Sequence, residues 1–168
     1  VISIIIFIIS FQIELTKGEI KSFKNLKSTD VSVKGIKLRD PIEKVLKVLG
    51  EPTGKSEEKG IFVYPDFILK IKNGRVNEIS IKSSFAESIT GEIAEIFRDE
   101  IFTDKGMREK FLGEETRIEV ELIELSQVKV EKWKIIFKNG FMIEGSKKER
   151  GFTFQFLTLF IPEDEKRN

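Results

Sequence analysis

The chain has 168 residues, 40% of them hydrophobic and 34% charged, which suits one packed domain or two small ones. Its 29 Lys and Arg balance 28 Asp and Glu to a net charge of +1, which excludes a global field for nucleic acid or an anionic membrane. It contains no His and no Cys, which excludes thiol nucleophiles, disulfides, Cys/His zinc sites, Ser-His-Asp triads and imidazole acid–base chemistry.

Residues Val1 to Ile13 read VISIIIFIISFQI, apolar but for Ser3, Ser10 and Gln12. The run is shorter than the roughly 20 residues of a spanning helix and fits the apolar region of an export signal, about 7–15 residues. Residues 1–18 are therefore expected to be export signal-like and the protein extracytoplasmic: periplasmic, cell-surface or secreted. An Ile-rich run of this length also suits a buried strand. From Thr16 to Lys27 the chain turns polar and Lys-rich, like a linker or a weak first strand, with folded sequence expected from about Asp30.

Asp40-Pro41-Ile42-Glu43 carries several helix-start signals. Asp40 suits the cap, Pro41 the first turn and Glu43 a capping box. Ile42, Val45, Leu46 and Leu49 make one apolar stripe, and Gly50 and Pro52 stop the helix at about 49. Strands are expected at 61–64, 67–72 and 75–81, the last two joined at Asn73-Gly74 by a two-residue turn with positive φ at both positions. That closure sets Leu69 opposite Glu78 while Ile79 and Ile81 look like the inward pair, a conflict that a bulge near Asn77 resolves. Gly50-Glu51-Pro52-Thr53-Gly54-Lys55-Ser56 imitates a phosphate loop but has one residue too few between its glycines.

A second helical region is expected at 87–112, from the spacing of Ile89, Ile93, Ile96, Phe97 and Ile101, with Met107 and Phe111 following and Gly113 as its stop. Strands at 116–125, 128–138 and 152–161 follow, with a hairpin at Asn139-Gly140. Residues 71–78 and 137–144 share the pattern apolar-Lys-Asn-Gly-x-apolar-x-Glu, which suggests a duplication. In the last strand, alternation places Phe152, Phe154, Phe156 and Phe160 on one face and Leu157 and Leu159 on the other.

Gly35-Ile36-Lys37-Leu38, Ile42, Val45, Leu49-Gly50-Glu51-Pro52, Phe62-Val63-Tyr64 and Asn73-Gly74-Arg75-Val76 together resemble the SmpA/OmlA group of small envelope lipoproteins. The resemblance covers about residues 35–82 and implies a short helical segment followed by a three-stranded antiparallel sheet. Arg39 stands where that family tends to have Gly, and these 168 residues hold no lipobox Cys. A tandem of such units resembles the β-lactamase-inhibitor-protein fold, in which a curved sheet grips another protein. The expected class is α+β: two helix-plus-antiparallel-meander units, 19–84 and 85–168, forming one tandem sheet with helices packed on one face.

The expected function is a non-catalytic, extracytoplasmic protein-interaction module whose partner is another envelope or secreted protein. No catalytic residue, metal ligand or cofactor is assigned, and nucleic acid is not an expected partner because Lys is interspersed with Glu along the chain. Any membrane contact would come through an uncleaved N-terminal segment. Candidate binding residues are Tyr64 and Asp66, which flank Pro65 at a turn, and the single tryptophan, Trp133. Against each stands an ordinary role: Tyr64 closing the edge of a core, Asp66 stabilising its turn, Trp133 packing. Alternative functions are a small-molecule or lipid carrier lined by the Phe-rich strand, or a carboxylate-based hydrolase.

Overall fold

A computed structural model describes residues 13–14, 22–90, 104–125, 128–148 and 151–166. Strands β1 (Ile13–Glu14) and β2 (Val31–Ser32) form a small parallel pair. Then come helix α1 (Ile42–Leu49), strands β3 (Gly54–Ser56), β4 (Ile61–Val63), β5 (Phe67–Lys72) and β6 (Arg75–Lys82), and helices α2 (Ser83–Thr90) and α3 (Lys105–Leu112). Strands β7 (Glu115–Leu125), β8 (Val128–Phe137), β9 (Phe141–Lys148) and β10 (Gly151–Phe160) complete the order. The protein is α+β: β3 to β10 form one eight-stranded antiparallel sheet in the order β3-β4-β5-β6-β10-β9-β8-β7. Each group of four strands is a meander, and their last strands, β6 and β10, pair at the centre.

Register explains the core. Phe67, Ile81, Leu157, Ile143 and Ile135 pair successively across β5, β6, β10, β9 and β8, and each is at most 2% exposed. They share one cluster with Val45 of α1, Ala86 and Ile89 of α2 and Leu112 of α3, so the helices cover one face of the sheet. Each of the Val, Leu, Ile and Phe side chains contributes about 1.5–3 kcal/mol on burial. The row ends on β7 at Ile118, opposite Ile135, where exposure rises to 43%.

The first hairpin has the expected geometry. Asn73 and Gly74 have φ of 52° and 71°, and pairing passes from Ile71–Val76 to Lys70–Glu78, leaving Asn77 as the bulged residue that restores Leu69 opposite Ile79. Helix α1 also lies where expected and stops at Gly50, φ 74°. Its start differs: the Asp40 carboxylate accepts from the Lys37 N–H and the Lys44 ammonium, both at 2.8 Å. The Ile42 N–H instead reaches the Gly74 carbonyl at 3.0 Å. The hairpin turn therefore takes over the cap role. Arg39, with φ 71°, holds the left-handed backbone that glycine adopts most easily.

Four expectations are corrected. Gly54–Ser56, read from sequence only as the end of a phosphate-loop lookalike with no strand expected there, is an edge strand in which Gly54 and Ser56 pair with Val63 and Ile61. Residues 22–27 are not a linker: Phe23 is fully buried, its N–H bonded to the Phe111 carbonyl at 2.7 Å. This segment packs against the end of α3 and the loop between β8 and β9. The two Asn-Gly hairpins are also not equivalent. The first joins the third and fourth strands of its meander; the second joins β8 to β9, the second and third of theirs, through a three-residue loop, 138–140.

The fourth correction concerns β10. Its pairing with β9 shifts between Phe154–Gly145 and Phe156–Glu144, so Gln155 is a bulge residue. Phe152 and Phe154 therefore side with Leu157 and Leu159 on the helix-covered face, and Phe156 and Phe160 lie on the other. A Cβ built on Gly145 would meet the Phe152 ring at 2.0 Å, so Gly145 leaves the space in which that ring sits. Helix α2 starts at Ser83, and α3 ends at Gly113, φ 98°. Ile93, Ile96, Phe97 and Ile101 of the expected helical region, and residues 1–12 of the apolar run, lie outside the described residues. Ile13, the last residue of that run, begins strand β1.

Candidate protein-binding face

The face opposite the helices is open, and alternation decides what it carries. Ile68, Ser80, Thr158, Met142 and Ile136 succeed one another across five strands. Beside them, Phe156, Glu144, Lys134 and Glu119 pair successively across β10, β9, β8 and β7. Apolar and polar side chains are thus interleaved on one surface.

The polar members are connected. A hydroxyl has one hydrogen to donate, and Thr158 sits between two acceptors, 2.9 Å from the Ser80 hydroxyl and 3.3 Å from Glu144 Oε2. The consistent arrangement has Ser80 donating to Thr158 and Thr158 donating to the carboxylate. Glu144 Oε1 in turn meets Lys134 Nζ at 3.2 Å. Thr158 is fully buried, so this neighbour set satisfies it. Lys134 and Glu119 are about half exposed, at 50% and 47%, and present charge to solvent. Glu119 is also paired with Arg117 at 2.9 Å.

Ile68 of β5 and Glu119 of β7 line the same cavity of about 570 Å³, together with Ser80, Lys132, Gln155 and Phe156. Those two strands are five steps apart, about 24 Å in a flat sheet. Side chains from both strands therefore border one shallow depression that runs across this face. A neighbouring hollow of about 710 Å³, bordered by Lys70, Glu78, Arg117, Met142 and Phe160, shares Glu119 and Lys134 with the first. The open face is thus a trough across the sheet.

The residues expected from sequence lie elsewhere. Tyr64 is 4% exposed; its hydroxyl donates to the Gly50 carbonyl at 3.0 Å and its ring stacks on Phe67 at 5.3 Å. It is a latch on the end of α1 rather than an exposed anchor, because the turn at Pro65-Asp66 folds its ring back over the core. Burial, and secondarily the charge of Glu51, raises its phenol above the ordinary value. Asp66 pairs with Lys34, whose ammonium also lies 5.2 Å from the Phe85 ring centroid. Trp133, half-buried on the helix-side face of β8, donates from Nε1 to Glu131 at 2.9 Å. Tyr64 and Trp133 sit near opposite ends of the sheet, so the three do not form one site. The row from Ser80 to Glu119 escaped sequence reading because the β6–β10 pairing creates it.

Among the described residues no group of three or more carboxylates is gathered to hold a metal ion, and no described helix is long and apolar enough to cross a membrane. The chain matches no protein-family model, no curated protein and no solved structure.

Proposed function

We propose that the chain is a non-catalytic, extracytoplasmic protein-interaction module, and that the trough on the open face receives another envelope or secreted protein. The observation that carries this is the reach of the open-face depression: two adjoining hollows that share Lys134 and Glu119 extend from β5 to β7, with Phe156 and Phe160 interleaved. A broad, shallow surface of mixed polarity suits a protein partner better than a small ligand, which favours an enclosed, mostly apolar pocket. Glu144 has both oxygens engaged, by Thr158 and Lys134, an arrangement suited to recognition. A lipid carrier would need space between helices and sheet, where Phe23, Phe67, Phe137 and Phe141 are fully buried side chains.

We read the two meanders as copies of one helix-plus-sheet unit, of the kind the SmpA/OmlA resemblance suggests, in a tandem like that of the inhibitor proteins. The support is topological: each four-stranded meander follows helix, and each ends at the central pairing. The export-like apolar run supports the compartment.

The test is site-specific photocrosslinking of the full chain in the envelope fraction of its source cell. A photoreactive residue at Gln155, exposed in the trough, is expected to give one dominant adduct that excess unlabelled protein competes away. The same residue at Lys47, on the exposed side of α1, is expected not to give it. No competable adduct from position 155, or an identical pattern from both positions, overturns the assignment.

A further inference from the structure

Strand β7 carries three of the four large hydrophobic residues found exposed among the described residues: Ile118 at 43%, Val120 at 51% and Leu122 at 56%. They alternate with Glu119 and Glu121, so over residues 118–122 one face of the strand is apolar and the other acidic, with Arg117 paired to Glu119 at its end. Among the described strands β7 pairs with β8 alone, and over its eleven residues every second N–H and C=O is directed away from the sheet.

Strand β8 shows which neighbour this strand accepts. Register sets Lys134 opposite Glu119 and Lys132 opposite Glu121 on the acidic side, and Ile135 opposite Ile118 and Trp133 opposite Val120 on the apolar side. The outer edge presents the same two rows. We propose that this edge receives an extended strand of a protein partner in which Lys or Arg alternates with Val, Ile or Leu, adding a ninth strand to the sheet. Main-chain hydrogen bonds supply the affinity and the two alternating rows the selectivity. A second copy of β7 is the poorer occupant, because it brings only Arg117 as a basic residue to the acidic row: antiparallel pairing centred on Val120 sets Glu119 against Glu121 twice, and pairing centred on Ile118 sets Arg117 against Glu119 but Glu121 against Glu115. The inference goes beyond the trough reading, because it uses the backbone edge and the apolar row on the opposite face.

The probe is a synthetic peptide of alternating Lys and Val, capped at both ends, titrated into the full chain. Fluorescence of Trp133, the only tryptophan, reports binding next to Val120. Saturable single-site binding is expected, weakening with added salt and falling by at least about tenfold in the E119Q/E121Q variant. The same peptide N-methylated at alternate residues is expected to lose binding, because it cannot complete the ladder. Thermal unfolding of the double variant, expected to match the parent, separates lost recognition from lost fold. Four outcomes overturn the proposal: no saturable binding, equal binding of a Glu-Val peptide, retained binding of the N-methylated one, or β7 amides already protected from exchange, which would reveal a second copy or the chain's own segment on that edge.

Discussion

The side-chain amide of Asn139 holds the carbonyl of Phe23 at 2.9 Å, across 116 residues of chain. The same Nδ2 reaches the carbonyls of Leu26 at 3.0 Å and Leu112 at 3.1 Å, so its two hydrogens serve three acceptors. The residue that reads as turn chemistry in sequence is a tie between the N-terminal segment, the end of α3 and the β8–β9 loop. Its Oδ1 is buried without a hydrogen-bond partner among the described residues. Asn139→Ala orphans buried carbonyls and is expected to cost about 2–3 kcal/mol. Asn139→Asp, which sets an acceptor against three acceptors, is expected to cost more. Urea unfolding midpoints of the two variants test the ranking.

The glycines after the two asparagines predict opposite tolerances for the same dipeptide. Gly74 has φ 71° and nothing within 4 Å of the place a Cβ would occupy, whereas Gly140 has φ 87° and a Cβ there would lie 2.1 Å from Ser28 Oγ and 2.6 Å from the Phe160 carbonyl. Gly74→Ala should cost about 1–2 kcal/mol for the left-handed backbone alone. Gly140→Ala should cost clearly more, and break the bond from Ser28 Oγ to the Phe160 carbonyl, 2.6 Å in the parent. Equal losses in denaturant titrations would contradict the role given to that loop.

Deleting Gln155 tests the bulge in β10. Without it, Phe152 and Phe154 cannot share the helix-covered face with Leu157 and Leu159, and one pair must turn outward. The deletion should therefore unfold the protein or cost on the order of 4 kcal/mol, since it turns outward either buried Phe154 with half-buried Phe152 or the buried pair Leu157 and Leu159. Gln155→Ala, which keeps the register, should stay within about 0.5 kcal/mol of the parent. Circular dichroism with thermal melts distinguishes the two.

Tyr64 gives the chain an alkaline limit that can be followed directly, because it is the only tyrosine. Burial raises its phenol, with Glu51 adding to the effect. The folded state thus keeps a proton that the unfolded state releases near pH ~10. Stability from this group is complete below that pH and is lost as pH rises through the raised folded value. Tyrosinate absorbance should titrate above the free-tyrosine value in the native protein and shift down in urea. Tyr64→Phe should remove this alkaline component, and at neutral pH cost about 1 kcal/mol for the lost bond to Gly50. A native titration at the free value would contradict the latch.

What sequence could disclose follows from where each constraint resides. The bulge at Asn77 was legible because a local turn of known geometry clashed with the inward pattern of Ile79 and Ile81. The bulge at Gln155 was not, because the phenylalanines at 152, 154, 156 and 160 keep one alternation straight across it and mask the shift of phase. Helix α1 was legible in its stripe and stop, but its cap was not, since the acceptor for Ile42 is Gly74, beyond three intervening strands. The open-face row depends on Thr158 lying opposite Ser80, 78 residues earlier. For Tyr64 both an exposed role and a core-edge role were open in sequence, because a polar tip near a turn does not reveal which way the ring folds.

The meeting of β6 and β10 at the middle of the sheet also fixes an order of assembly. During synthesis β6 emerges early and must wait, its free edge carrying Ile79 and Ile81, until the strand ending at Phe160 arrives. Among the pairings of this sheet, the one that joins the halves becomes possible only once β10 is made, and such long-range pairings are slow. A chain interrupted before β10 would hold two incomplete sheets, each with an open, apolar edge at what should be the centre, and aggregation of these nascent forms rather than unfolding of the finished protein would set its yield.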